Sequence, residues 1–291
     1  MSENAAFEIL GIDHLHLITG NAYQAAYFYR SAFGFALTAW RGPGTGTPDH
    51  ISYVLERGGM RLVLSSPLTP DHPTYDHIRK HGDGIRDVAF AVDDPAAAWR
   101  TAVERGAEPA YEPSALEDGS GVLRMAGIRA FGDTIHSFIG RKAYGGAFRP
   151  GYVAASRQGA GEAGPLWISG LTAYLPAGEL QRWSAFYERI LGFTLLGDSS
   201  QSFARLAKGL RGGEFAMALS AAGGEQKGEA ESFLNAYQSA GIGRVRVKAA
   251  DASAEAARLK SAGVVLAEGA GEAVTEPVHD RPTLRFEIAG N

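Results

Sequence analysis

Residues 12–18, IDHLHLI, alternate apolar and polar positions in the way a strand with one buried face does. A helical stretch follows over 22–33 and stops at Gly34, and strand-like runs come next at 35–40, 51–55 and 61–64. The same order then starts again. It predicts a strand over 85–92, a helix over 95–105 with Asp94 as N-cap and Gly106 as stop, and strands over 122–125 and 135–139.

That order also recurs on a longer scale. Phe28-Tyr29-Arg30-Ser31-Ala32-Phe33-Gly34-Phe35 matches Phe186-Tyr187-Glu188-Arg189-Ile190-Leu191-Gly192-Phe193, an offset of 158 residues. Gly84-Ile85-Arg86-Asp87-Val88 matches Gly241-Ile242-Gly243-Arg244-Val245 at an offset of 157. Two halves share one plan, and each half holds two units of strand, helix and three strands. The small, polar, Gly-rich segment 154–164 reads as a linker, which divides the chain into domains 1–153 and 165–291. Periodicity by itself gives an α+β class.

Composition narrows the function classes. With 291 residues, 45% hydrophobic and 21% charged, the chain has the make-up of a soluble globular protein. A net charge of −4 gives no electrostatic reason to expect nucleic acid or an anionic membrane as partner. The absence of cysteine excludes disulfides, thiolate metal sites and a cysteine nucleophile. No signal-peptide pattern opens the chain and no run approaches eighteen apolar residues, so the expected compartment is the cytoplasm. His72, His77 and His81 fall in a segment rich in Asp and Pro and read as exposed loop histidines.

Several rare strings occur in a telling order: Gly20-Asn21-Ala22, Arg41-Gly42-Pro43, Ser52-Tyr53-Val54-Leu55, Leu64-Ser65-Ser66-Pro67-Leu68 and His81-Gly82-Asp83-Gly84. In the second half, Phe233-Leu234-Asn235-Ala236-Tyr237 leads to Gly241-Ile242-Gly243-Arg244, and Pro277-Val278-His279-Asp280-Arg281-Pro282-Thr283 leads to Glu287. These runs resemble the 4-hydroxyphenylpyruvate dioxygenase family, iron(II) enzymes of the vicinal oxygen chelate superfamily. The resemblance implies tandem βαβββ modules, two domains of two modules each, with a ligand cleft in the C-terminal domain.

The resemblance also locates a departure. The family holds iron with two His and one Glu, and those positions are Gly170, Arg244 and Glu287 here. Glycine has no ligand atom and guanidinium is a fixed cation. The family's polar substrate contacts fall at Ser220, Glu229 and Glu272, and Thr172 lies on the first ligand strand. The stretch before Glu272 is shorter than in the family, and the family's C-terminal helix is expected to be missing beyond Asn291. The expectation is a metal-free, cofactor-free cleft in which Glu287, Arg244 and Glu272 are catalytic candidates and Gly170, Ser220, Glu229 and Thr172 contact the ligand. Three carboxylates against Arg244 would favour a ligand carrying amino or guanidino groups.

A metal set in the first half, His14 with Asp87 and His136, is the competing option, although the repeat aligns Phe138 with Glu287. The expected function is a metal-independent enzyme of isomerase, cyclase or lyase type acting on a small organic molecule. A protein that binds and sequesters such a molecule is the alternative, and an iron-dependent arylpyruvate dioxygenase with unrecognised ligands is the second alternative. The expected partner is a small molecule, with monomer or homodimer left open.

Overall fold

The computed structural model describes residues 7–158, 163–223, 227–267, 273–279 and 283–290. The first unit runs β1 (Gly11–Ile18), α1 (Ala22–Ser31), β2 (Ala36–Arg41), β3 (His50–Arg57) and β4 (Met60–Pro67). After the short helix α2 (Tyr75–His81), the second runs β5 (Gly84–Ala91), α3 (Pro95–Glu104), β6 (Pro109–Asp118), β7 (Gly121–Arg129) and β8 (Ile135–Gly140). Strand β9 (Val153–Gln158) follows. The third unit is β10 (Leu166–Leu175), α4 (Leu180–Arg189), β11 (Thr194–Leu195), β12 (Phe203–Leu210) and β13 (Gly213–Ala221). Helix α5 (Lys227–Tyr237) leads to the fourth, β14 (Gly241–Ala249), α6 (Ala252–Ser261), β15 (Ala273–Val274) and β16 (Arg285–Ala289). The α+β class and the repeated module hold.

Local chemistry explains the element ends. Asp94 accepts from the backbone of Ala96 and Ala97 and Asp251 from Ala254, so α3 and α6 begin at matching aspartates of the repeat. Gly34 and Gly192, which end α1 and α4, both have φ of +69°, a conformation that costs glycine nothing.

Two expectations need correction. The predicted linker 154–164 opens as strand β9, which pairs with β2. Helix α2 is not among the predicted elements, while β6 is the third strand that the unit plan requires of the second unit without locating it. In the fourth unit, β15 and β16 are the strands that follow the helix among the described residues.

In each half the first strand lies between a parallel and an antiparallel neighbour: β1 between β4 and β5, and β10 between β13 and β14. Each of these strands also breaks register at corresponding places. The breaks lie between Ile12 and His14 and between His16 and Leu17 in β1, and between Ile168 and Gly170 and between Thr172 and Ala173 in β10. The repeat therefore extends to its bulges.

One hydrophobic cluster contains residues of both halves. Phe33 of the first half packs on Phe286 of the second, with ring centroids 4.8 Å apart, and Phe131 meets Trp183 edge-on at 5.6 Å. Beside them lies a buried ion pair. Arg57 donates from Nη1 and Nη2 to the two carboxylate oxygens of Glu255, both at 2.7 Å.

Candidate functional site

Strands β10, β14 and β16 carry the three family ligand positions side by side. Gly170 lies opposite Arg246, Arg246 opposite Glu287, and Thr172 opposite Arg244. Side chains two apart on a strand share a face, so Arg244 and Arg246 point the same way. A cavity of about 520 Å³ opens there, lined by Gly170, Thr172, Tyr174, Arg205, Arg244, Arg246 and Glu287 among others. Gly228 and Glu229 of α5 close one side of it. A larger groove of about 680 Å³ lies between α4 and the segments that follow α3 and β7, and contains none of these residues.

The charges in the cavity are interlocked. Arg246 Nη1 is 2.8 Å from Glu287 Oε1, and Arg244 Nη1 is 3.4 Å from Glu287 Oε2. Arg244 Nη2 reaches Glu229 Oε1 at 2.5 Å. Burial pushes the Tyr174 phenol up, reinforced by the negative charge of Glu229. Burial alone would push Arg244 down, but Tyr174, Glu229 and Glu287 outweigh it and hold the guanidinium charged. One donor is left over: Arg244 Nε is buried without a hydrogen-bond partner.

Of the residues expected at the site, the structure brings Gly170, Thr172, Glu229, Arg244 and Glu287 together around this cavity. Ser220 is not with them. It is 1% exposed and sits opposite Tyr174, beyond Ala218 at the cavity wall. Glu272 lies outside the described residues. Two residues were missed, Arg246 and Arg205. Arg246 could have been found from strand alternation, since it stands two places from Arg244. With these two arginines the described lining holds three guanidinium groups and two carboxylates.

The competing metal set in the first half does not form. His14 Nδ1 is 2.7 Å from Asp13 Oδ1, and its ring packs edge-on to Phe148. Asp87 accepts hydrogen bonds from the Ser137 backbone and hydroxyl. His136 faces the opposite side of β8, where its Nε2 is 2.9 Å from the Tyr187 hydroxyl. The register explains this. Asp87 lies opposite Ile135 as Arg244 lies opposite Arg285, so Ser137 is the counterpart of Glu287, and neither His136 nor Phe138 is.

The segment 72–81 differs as well. His77 and His81 are each only 3% exposed, because α2 packs against α5 of the other half. Burial is the largest cause that pushes the His77 imidazole down to about 3.

Residues 11–133 and 168–283 match the Glyoxalase/Bleomycin resistance protein/Dioxygenase superfamily. The chain belongs to that superfamily. Within it, 4-hydroxyphenylpyruvate dioxygenase of Tetrahymena thermophila is 41% identical over 152 residues, 50% of this chain and 38% of that protein. The Yarrowia lipolytica enzyme of the same name is 37% identical over 202 residues, 63% of this chain and 49% of that protein. The chain thus spans half or less of the length of these curated relatives. In three dimensions it superposes on a mutant of 4-hydroxymandelate synthase from Streptomyces coelicolor with a TM-score of 0.81 and 22% identity, over 96% of this chain and 92% of that one. A Mn(II)-bound glyoxalase from Novosphingobium aromaticivorans gives a TM-score of 0.63 at 14% identity, over 98% and 83% of the two chains. At such identities the likeness is one of fold. No helix among the described residues is long and apolar enough to cross a membrane.

The iron that the dioxygenase resemblance implies does not fit this cavity. Gly170 offers no ligand atom, and a Cβ built there would meet the Ala216 carbonyl oxygen at 2.9 Å. Glu287, the one remaining carboxylate, is held by two guanidinium groups, whose fixed charge repels a metal cation.

Proposed function

We propose that the C-terminal cleft is a metal-independent site for a small organic anion, a carboxylate or an enolate. The observation that supports it is the clamp of Arg244 and Arg246 on Glu287 at positions where the family resemblance puts metal ligands. Two permanent positive charges stand in for one metal cation. Arg205 is exposed at the same cavity and adds positive charge. Tyr174 and Phe203 supply aromatic surface beside it. The relatives' names, 4-hydroxyphenylpyruvate dioxygenase and 4-hydroxymandelate synthase, make aromatic 2-oxo and 2-hydroxy acids the first compounds to test.

Glu229 favours turnover over storage. Its side chain is 34% exposed, lines the cavity and contacts Arg244. A carboxylate in that place can remove a proton from the carbon beside a bound carbonyl while Arg244 stabilises the enolate that forms. Chemistry of this kind, isomerase, cyclase or lyase in type, consumes no oxygen.

Calorimetric titration with 4-hydroxyphenylpyruvate and 4-hydroxymandelate tests the reading. Binding should weaken about 30-fold or more in Arg246→Met, as expected when one partner of a partly buried charged contact is lost. Unchanged affinity in that variant would overturn the site. Turnover is followed by exchange of the ligand's carbon-bound hydrogen with deuterated water. Exchange should disappear in Glu229→Gln while binding persists; binding without exchange in the parent protein would mark a sequestering protein.

A further inference from the structure

His77 and His81 stand four residues apart on α2, so both project from one face of the helix. Asp133, in the turn between β7 and β8, comes up to the same place. One ligand atom from each of the three lies within 4.8 Å of those from the other two. His81 Nδ1 is 2.5 Å from the carbonyl oxygen of Tyr237, which can only accept, so Nδ1 carries a proton. The Tyr237 ring stacks on the His81 ring with centroids 4.5 Å apart and fixes its plane. Nε2 of His81 is thereby turned to Asp133, 2.8 Å from Oδ2. At that distance a bare nitrogen lone pair and a carboxylate oxygen repel each other, so a proton or a metal ion must lie between them.

His77 separates those two cases. A proton on His81 would account for the contact with Asp133 but gives His77 nothing to do. Yet His77 is 3% exposed and both of its ring nitrogens are buried without a hydrogen-bond partner. A buried imidazole with two unsatisfied nitrogens costs stability unless something ligates it. Its ring lies 4.8 Å from that of His81, centroid to centroid.

We propose that His77, His81 and Asp133 form a binding site for a divalent transition-metal ion of the zinc class. Two imidazoles and one carboxylate suit zinc, which bonds nitrogen at about 2.0–2.1 Å and leaves a fourth position for water. The Tyr237 carbonyl supplies the hydrogen bond to the non-ligating nitrogen that metal-bound histidines usually have. Since Tyr237 ends α5, the ion would fasten the first half to the helix that closes one side of the C-terminal cleft. This site is separate from Glu287 and its arginines.

The experiment strips the full chain with a chelator and titrates it with Co²⁺, read by its visible absorption, and with Zn²⁺, read by competition and by elemental analysis after dialysis. The parent chain should take up one tightly held ion and melt at a higher temperature with it. His77→Phe, which fills the helix face with an apolar ring, should weaken binding at least 100-fold and remove the thermal shift. Asp133→Asn should weaken it about 10-fold; because Asp133 is partly exposed, this variant keeps the test valid if His77→Phe folds poorly. A second grouping, Asp49, His50 and His72, lies nearer the surface. His72→Asn and Arg246→Met should each leave metal affinity unchanged. Absence of tight binding in the parent chain, or His77→Phe and Asp133→Asn both binding as the parent does, would overturn the proposal and leave an imidazolium–Asp133 ion pair.

Discussion

Glu255→Ala is expected to destabilise the chain by about 3–5 kcal/mol and to lower its melting temperature on the order of 10 °C. Arg57 would lose both carboxylate contacts in a place where its side chain is 3% exposed, keeping among the described residues the backbone oxygens of Phe33 and Gly164 as acceptors. Arg57→Met should cost less. Glu255 would still be held by Arg258, 2.7 Å away. The double variant Arg57→Met/Glu255→Leu should recover most of the loss, because a buried pair replaced by apolar volume removes both desolvation costs together. Chemical denaturation of the four proteins checks this; a double variant as unstable as Glu255→Ala would show that the pair is more than mutual compensation.

The same pair fixes a pH dependence. Burial raises the Glu255 carboxyl, but the hydrogen bonds and charges of Arg57 and Arg258 outweigh it and hold the group below its ordinary value. A carboxylate depressed in the folded state contributes stability above its unfolded pKa of about 4.3. That contribution falls away as pH drops through the lower, folded value. The difference in stability between the parent chain and Glu255→Gln should therefore be constant near neutrality and shrink below about pH 4.

Rebuilding a metal site in the cleft is expected to need three changes where the resemblance to the dioxygenases suggests two. Gly170→His with Arg244→His supplies two imidazoles, but Arg246 still holds Glu287 at 2.8 Å. The double variant should gain little affinity for Co²⁺. Adding Arg246→Ala should remove that guanidinium from Glu287 and raise affinity by orders of magnitude, as three convergent ligands come together. The cost falls on β10. The Cβ of residue 170 would press on the Ala216 carbonyl, so strand β13 must shift and the triple variant should melt below its parent. Titration in a His77→Phe background keeps the site of His77, His81 and Asp133 from contributing. A large gain already in the double variant would mean that Arg246 does not govern Glu287. Oxygen uptake with 4-hydroxyphenylpyruvate should stay absent in all of them, because Ser220 is buried away from the cavity.

Much of the fold could be read from the chain because its strands alternate cleanly and its helices end at glycines that reappear one repeat later. Strand β1 was placed within one residue, and the matching aspartate caps of α3 and α6 follow from the repeat. Two kinds of information were hidden. One is long-range packing. Segment 75–81 is polar and rich in His and Asp, and only the second half, by supplying Tyr237, buries its histidines. The other is cross-strand register. Offset counting placed Phe138 with Glu287, whereas pairing of β5 with β8 and of β14 with β16 places Ser137 there, a shift that turns the side chain to the other face of the sheet. Arg246 was overlooked for a simpler reason. The resemblance to the dioxygenases directs the eye to single ligand positions, while a charged pocket is built by every side chain on the shared face.

The hydrophobic cluster that contains Phe33, Phe131, Trp183 and Phe286 has a thermodynamic consequence. A repeat counted along the chain gives two units, but neither half keeps its interior dry when the other is removed. Scanning calorimetry should therefore record a single endotherm, with the van't Hoff enthalpy equal to the calorimetric one, instead of two independent melts. Each half cut out alone should expose the aromatic rings that the other half covers and associate with itself or aggregate. To heat and to proteases this chain should behave as one cooperative body, however clearly its sequence is written twice.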